Sequence, residues 1–256
     1  MNYSYDGKFF EYLQASSLQS ARAITQILYK HLQPASVLDL GCGCGAWLTA
    51  FQEQGVKDYL GVEGNYARKH RFLIPLEKVR FLDVGKPLEL GRKFSLAVSL
   101  EVGEHLVPKA SKLLVENLVN HADIVYFSSA VVGQGGENHV NERPLEAWRS
   151  DFSEHGYICF DAIRPLIEKI HSIEPWYRYN GLIYARNDIV DDLPAIIREN
   201  RVLSDQLLVE GGSPTWMLRR AILGTLPRTW VSALSKARYR MKLSLDRQRY
   251  CANSGN

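Results

Sequence analysis

Apolar positions recur at helical spacing from Ala15 to Leu32, where Leu18, Ala21, Ile24, Ile27, Leu28 and Leu32 fall on one face and Pro34 ends the run. After it the pattern shifts to short apolar runs punctuated by glycine. Ser36–Leu40 predicts a first strand, and Tyr59–Glu63, Val79–Asp83, Phe94–Leu100, Ala122–Ser128, Tyr157–Phe160 and Asn180–Ala185 predict six more. Phe94–Leu100 is apolar almost throughout, as a strand covered on both faces should be. Helices are predicted between them at Ala46–Gln54, closed by Gly55, at Pro108–His121, and at Leu145–His155, closed by Gly156. Such alternation implies an α/β fold, with a Rossmann-like, mostly parallel seven-stranded sheet flanked by helices. In sheets of this kind ligands sit beyond the carboxyl ends of the strands.

Past Arg186 the pattern changes again. Asp191 to Val209 reads as helical and polar, Gly211-Gly-Ser-Pro214 breaks it, and Thr215 to Leu245 mixes apolar and basic residues, with Pro227 dividing it into two short helices. The expected organisation is a domain over residues 1–187, its first 33 residues a helical cap, and a basic helical C-terminal extension over residues 188–256.

The composition, 46% hydrophobic and 23% charged over 256 residues, is that of a globular chain and argues against wholesale disorder. No apolar run approaches the roughly 18 residues of a membrane-spanning helix. The first residues lack the basic and apolar regions of a secretory signal. Cys42, Cys44, Cys159 and Cys251 match neither a disulfide framework nor a zinc pattern. A cytoplasmic location is expected. Charge is unevenly placed. From Pro214 onward nine Lys/Arg face a single acid, a net +8, whereas the preceding 213 residues carry 22 Lys/Arg and 27 Asp/Glu, a net −5. A basic tail on an acidic body points to an anionic surface met by the tail.

The most specific stretch is Val37-Leu-Asp-Leu-Gly-Cys-Gly-Cys-Gly45. Glycines after a first strand let a ligand approach the backbone where a Cβ would clash. Gly41, Gly43 and Ala46 satisfy a relaxed dinucleotide pattern. Glu63, ending the second strand, stands where a ribose-binding acid belongs. Asp39 argues for a cationic ligand, because a carboxylate there would repel a pyrophosphate and attract the ammonium and sulfonium of S-adenosylmethionine.

The chain resembles the class I S-adenosylmethionine-dependent methyltransferases over about residues 15–187. The resemblance implies that Asp39, Gly41, Cys42, Gly43 and Gly45 cradle the methionine end of the cofactor. It implies that Glu63 takes the ribose hydroxyls, that Asp83 meets the adenine amine with Leu82 beside the ring, and that Leu100 and Glu101 lie near the reacting methyl. The segment Gly133-Gln-Gly-Gly-Glu-Asn-His139-Val-Asn-Glu-Arg-Pro144, with Trp148 and Pro175-Trp-Tyr-Arg-Tyr-Asn180, is similar to methyltransferases of bacterial surface-polysaccharide gene clusters. Arg143 and Gly103 depart from that pattern. The resemblance implies methylation of a sugar hydroxyl of a glycan or glycan precursor.

Methyl transfer to a hydroxyl asks the protein for in-line positioning and a base. His139, among glycines in a strand-to-helix loop, is the leading candidate, with His105 and Glu104 next. On a helical turn Glu101, Glu104 and His105 would share a face. Glu-x-x-Glu-His resembles the metal-binding motif of ubiquinone-pathway and small-RNA O-methyltransferases, so these three would ligate a divalent metal such as Mg²⁺ if one is used, with His139 as a fourth ligand. No metal is expected. Tyr3, Tyr5, Phe9, Phe10 and Tyr12 read either as a lid or as one face of a packed helix. The tail reads as a peripheral membrane contact or as a hairpin docked on the body or on a second copy. Nucleic acid is not an expected partner. Three other readings stay open: a small-metabolite O- or N-methyltransferase, an NAD-dependent oxidoreductase, and a non-catalytic cofactor-binding partner protein.

Overall fold

The computed structural model describes residues 7–237. Its single sheet holds β1 (Ser36–Leu40), β2 (Asp58–Glu63), β3 (Val79–Phe81), β4 (Leu96–Leu100), β5 (Ile124–Ser128), β6 (Tyr157–Phe160) and β7 (Leu182–Arg186). The order is β3-β2-β1-β4-β5-β7-β6. Neighbours pair parallel except β7, which runs antiparallel to both β5 and β6.

Alternation along the strands sends side chains to two cores. Val37, Leu96, Val98 and Ile183 meet α1 (Gly7–Leu32), through Ala21, Ile24 and Leu28, and α2 (Ala46–Glu53), through Trp47, Leu48 and Phe51. Leu38, Leu40, Ala97 and Phe127 face the other way. They pack on α3 (Pro108–His121), through Leu114, Val115 and Leu118, and on α4 (Leu145–Ser153), through Trp148 and Phe152. Each fully buried Leu or Phe contributes about 1.5–3 kcal/mol, so these two layers hold the sheet's edge rigid enough to present a site. Asp39 alternates onto the α1–α2 face and is buried there.

All seven expected strands form, with two local differences. Strand seven was expected at Asn180–Ala185 but spans Leu182–Arg186. Pro175, pre-set for a first helical turn, starts α6 (Pro175–Asn180) immediately before it. The helix expected over Asp191–Val209 is mostly absent. Only a 3₁₀ turn (Asn187–Asp192) and α7 (Ala195–Arg198) form, following α5 (Arg164–Ile167). Arginines take the carbonyls that a longer helix would have used: Arg149 donates to Leu203 and Gln206, and Arg164 to Val209. The expected break at Pro227 is present. It separates α8 (Pro214–Gly224) from a helix over 228–237. Tyr3 and Tyr5 lie outside the described residues, as does the tail beyond residue 237, and the lid reading of Phe9, Phe10 and Tyr12 rests on side chains outside them too.

The chain crosses from β3 back to β4 beside β1, so a crevice opens between the carboxyl ends of β1 and β4. Because β7 is reversed, its beginning and α6 reach that same edge. α6 is tied to α1 there by Ser17 Oγ with Tyr177 Oη (3.1 Å) and by Glu174 N donating to Ser20 Oγ (3.0 Å).

Candidate active site

The turn after β1 is built by three glycines with positive φ, each for a different reason. Gly41 (φ 85°) and Cys42 both donate their amides to Val62 O, at 2.8 and 3.1 Å. A Cβ on Gly41 would collide with Val102. Gly45 (φ 87°) caps α2, and a Cβ there would lie 2.7 Å from Ile74 Cγ1. Gly43 (φ 54°) differs: nothing lies within 4 Å of where its Cβ would be. The backbone there is left bare for something to approach.

Three acids, Asp39, Glu63 and Asp83, stand at or just beyond the ends of β1, β2 and β3. Asp39 is buried, and its Oδ2 has no hydrogen-bond partner. Burial, and then the nearby Glu63, push its carboxyl well above the usual range. Glu63 accepts from Gly43 N at 2.6 Å, from Gly64 N at 2.9 Å and from Tyr66 Oη. Burial raises its pKa, and these three donors offset only part of the rise. Leu82 N donates to Glu63 O at 2.9 Å, and the Leu82 side chain is exposed. Asp83 is exposed beside it and accepts from Gly85 N at 3.0 Å. Cys42 is buried, its thiol pushed up by burial and by Asp39 and Glu63, so it is a packing group against Gly61 rather than a nucleophile. Leu100 closes β4 in the core on the α1–α2 face.

The other half of the crevice follows β4. Glu101 has φ 58°, a left-handed conformation uncommon for a residue with a side chain. It is therefore not on a helical turn with Glu104 and His105, as its spacing suggested. Only Gly103–His105 make a 3₁₀ turn. The reversed backbone aims the Glu101 carboxylate elsewhere: it accepts from Ser128 Oγ at 2.9 Å and from Gln134 Nε2 at 2.7 Å. Gln134 Oε1 in turn accepts from Asn180 Nδ2 at 2.8 Å. Burial and the charge of Glu104 hold the Glu101 pKa well above normal.

A second cluster gathers Glu104, His105 and His139, with a ligand-type atom of each within 4.8 Å of the others. Glu101 is not part of this set, so the expected trio for a metal is replaced by one containing His139. Glu104 is buried. Its Oε2 accepts from Ser129 Oγ at 2.9 Å, while Oε1 has no hydrogen-bond partner and lies 3.9 Å from His139 Nε2. The rings of His105 and His139 meet edge to face at 5.1 Å, and His105 Nδ1 lies 3.2 Å from Asn138 O. Burial lowers the His105 pKa, assisted by His139 and opposed by Glu104.

His139 Nδ1 lies 2.8 Å from Glu142 Oε1. Glu142 also accepts the amides of Gly135 (2.7 Å) and Gly133 (2.9 Å). Burial would raise its pKa, but His139 and the two amides outweigh it and bring the carboxyl below the ordinary range. An ionised Glu142 only accepts, so Nδ1 carries the proton and Nε2 of the neutral ring is the acceptor. Sequence reasoning assigns no individual role to Glu142, Gln134, Ser128, Asn180 or Tyr66. The one local signal was Glu142 three residues after His139.

The C-terminal helices pack on this same loop. Arg219 donates to Gln134 O at 2.6 Å, and Arg220 donates to Val132 O at 2.9 and 3.2 Å and pairs with Glu210. A Cβ on Gly133 would come 2.5 Å from Arg220 O. Farther along, Arg228 donates to Val140 O (3.0 Å), Ser232 Oγ accepts from Asn138 N (3.3 Å), and Lys236 lies 3.6 Å from Glu137.

A parallel sheet with a reversed seventh strand, a glycine turn after β1 and an acid closing β2 define a Rossmann-like methyltransferase. The Methyltransferase domain family matches residues 9–168, more than half of the chain, and the protein belongs to that family. Among solved structures it is similar to the sugar N-methyltransferase KedS8 from Streptoalloteichus sp ATCC 53650, at 13% identity and a TM-score of 0.53, covering 73% of this chain and 94% of that one. It is also similar to CalS10, an amino pentose methyltransferase from Micromonospora echinaspora, at 14% identity and a TM-score of 0.48, covering 73% of this chain and 99% of that one. Against DesVI of Streptomyces venezuelae the identity is 21% and the TM-score 0.39, covering 50% of this chain and 59% of that one. A search of curated proteins finds no match.

The protein is an enzyme whose cofactor is S-adenosyl-L-methionine. The residues present fit it. An orphaned, buried Asp39 oxygen suits a cationic ligand, and the bare backbone at Gly43 leaves room for one.

Proposed function

We propose that the protein transfers a methyl group to a sugar hydroxyl of a bacterial glycan or glycan precursor, with His139 as the general base. The observation that carries this reading is the His139–Glu142 pair, which leaves Nε2, 3.9 Å from Glu104 Oε1, as the ring's proton acceptor. S-adenosyl-L-methionine supplies a methyl on a sulfonium centre, an activated leaving group. The chain's own tasks are then few. Asp39, Gly43 and Glu63 hold the cofactor's polar ends. Glu142 keeps the imidazole in its accepting tautomer. His139 Nε2 takes the hydroxyl proton as the C–O bond forms, and Glu104 steadies the imidazolium. The buried network of Glu101, Ser128, Gln134 and Asn180 fixes the loop that presents His139. A sugar acceptor is supported by the resemblance of the 133–144 segment to polysaccharide-cluster enzymes. The sugar N-methyltransferase KedS8 shares the fold. A base with an orienting carboxylate suits a hydroxyl better than an amine, which can attack unprotonated.

His139→Ala is expected to lower kcat by about 10²–10⁴-fold with unchanged affinity for S-adenosylhomocysteine. Glu142→Gln should reproduce much of that loss, because an amide facing Nδ1 no longer enforces the tautomer. Full turnover of His139→Ala would remove the base role. A second reading is favoured by the orphaned Glu104 Oε1: Glu104, His105 and His139 hold a divalent cation that binds the acceptor hydroxyl. Turnover lost in EDTA and restored by Mg²⁺ selects that reading, and EDTA-insensitive turnover selects the base.

A further inference from the structure

α8 and the helix over 228–237 turn two different faces to the molecule and away from it. Inward go Trp216, Arg220 and Val231, all buried, the last two against the 132–140 loop. Outward go Leu218 and Ile222 on α8, and Trp230 and Leu234 on the second helix, each pair at i, i+4. These four are 62%, 54%, 65% and 52% exposed. Both helices pack on the same loop, meeting at Gly135 through Leu223 and Val231, and turn these four side chains away from it. The basic residues of this unit are engaged inward: Arg219, Arg220 and Arg228 on loop carbonyls and Lys236 beside Glu137. The outer face is therefore apolar with an indole on it. The same stretch of chain continues into Arg238, Arg240, Lys242, Arg247 and Arg249 against Asp246 alone.

We infer that this face docks on an anionic bilayer surface. Apolar side chains on a short helical unit, a tryptophan among them, and an adjoining run of cations are the two attractions that together hold a protein at a charged lipid interface. Neither suffices alone: the apolar face is small, and the cations without it would bind only electrostatically. No acid from Pro214 to Leu245 opposes the contact. No helix among the described residues is long and apolar enough to cross a membrane, so the contact is made from one side. Since the helices' inner faces hold the His139 loop, docking brings the acceptor half of the crevice close to the lipid surface. The inference stands apart from the choice of base or metal.

The test is co-sedimentation of the full chain with vesicles of phosphatidylcholine alone and with added phosphatidylglycerol. Binding to the anionic vesicles only, weakened by raised salt, is expected. The variant Leu218→Gln/Ile222→Gln/Trp230→Gln should lose binding by about tenfold or more while keeping wild-type affinity for S-adenosylhomocysteine, which shows that it is folded. Equal binding to both vesicle types, no binding to either, or undiminished binding by the triple variant would overturn the inference. So would a dimer in sedimentation velocity that the triple variant disperses, with no vesicle binding, because the face would then belong to a second copy.

Discussion

Asp39→Asn isolates the electrostatics of the cofactor half. In the wild type, burial and Glu63 hold the Asp39 carboxyl well above the ordinary carboxylate range. An acid whose pKa is raised in the folded state contributes its stability fully below the unfolded pKa and loses it as pH rises through the folded value. That loss accrues at about 1.4 kcal/mol per pH unit between the two pKa values. Asparagine does not titrate. In ligand-free protein the substitution is expected to be near neutral at acid pH and increasingly stabilising, relative to wild type, as pH rises. Cofactor binding should move the other way. A carboxylate about 4 Å from a cation at an effective dielectric of about 20 gains about 4 kcal/mol. Ionising the buried carboxyl first consumes part of that gain. A net of about 2–3 kcal/mol corresponds to roughly 30- to 150-fold in Kd. The assay is calorimetric titration of S-adenosylmethionine and S-adenosylhomocysteine across pH, beside thermal denaturation without ligand. Wild type should release protons on binding, visible as a heat that varies with the buffer's ionisation enthalpy, and Asp39→Asn should release fewer. Wild-type affinity of Asp39→Asn for both ligands, or a difference in Tm that stays flat with pH, would refute the reasoning.

Two further substitutions probe the turn and the tail. Gly43→Ala meets no neighbour but places a side chain at positive φ, at a cost of about 1–2 kcal/mol, so the variant is expected to fold with a modestly lower Tm and to lose S-adenosylhomocysteine binding. Tight binding by that variant would show that the turn is not the cradle. Arg220→Met removes the donor to Val132 O and strands Glu210, which should cost about 2–4 kcal/mol. Hydrogen exchange should show faster opening confined to the 131–142 loop, and unchanged protection there would refute the bracing role of α8.

The architecture was legible because its signals are local. β1 and β4 are apolar runs, and α3 runs from Pro108 to His121 as its pattern predicts. Gly41, Gly43 and Gly45 all need positive φ, which is what a glycine triplet after a strand announces. The acceptor half was legible only in part. His139, Glu104 and His105 do converge, but Glu101 leaves them because its backbone turns left-handed, an event no helical spacing reveals. Gln134 and Asn180 meet across 46 residues of chain, and Glu142 acts through loop amides. Loops have no period to read. The segment after α7 failed as a helix for a related reason: its carbonyls are claimed by Arg149 and Arg164 from distant elements.

The reversal of β7 also sets an order of assembly on the ribosome. Residues 39–66, proposed to cradle the cofactor, emerge early, and within them Gly43 N and Tyr66 Oη donate to Glu63. The acceptor loop must wait for Asn180, carried in just ahead of β7, and then for Arg219 and Arg220. About 150 residues separate Tyr66 from Arg220, so at about 5–20 residues per second the second half of the site lags the first by on the order of ten seconds. In that interval the turn proposed to cradle the cofactor has been synthesised, and the braces of the His139 loop have not.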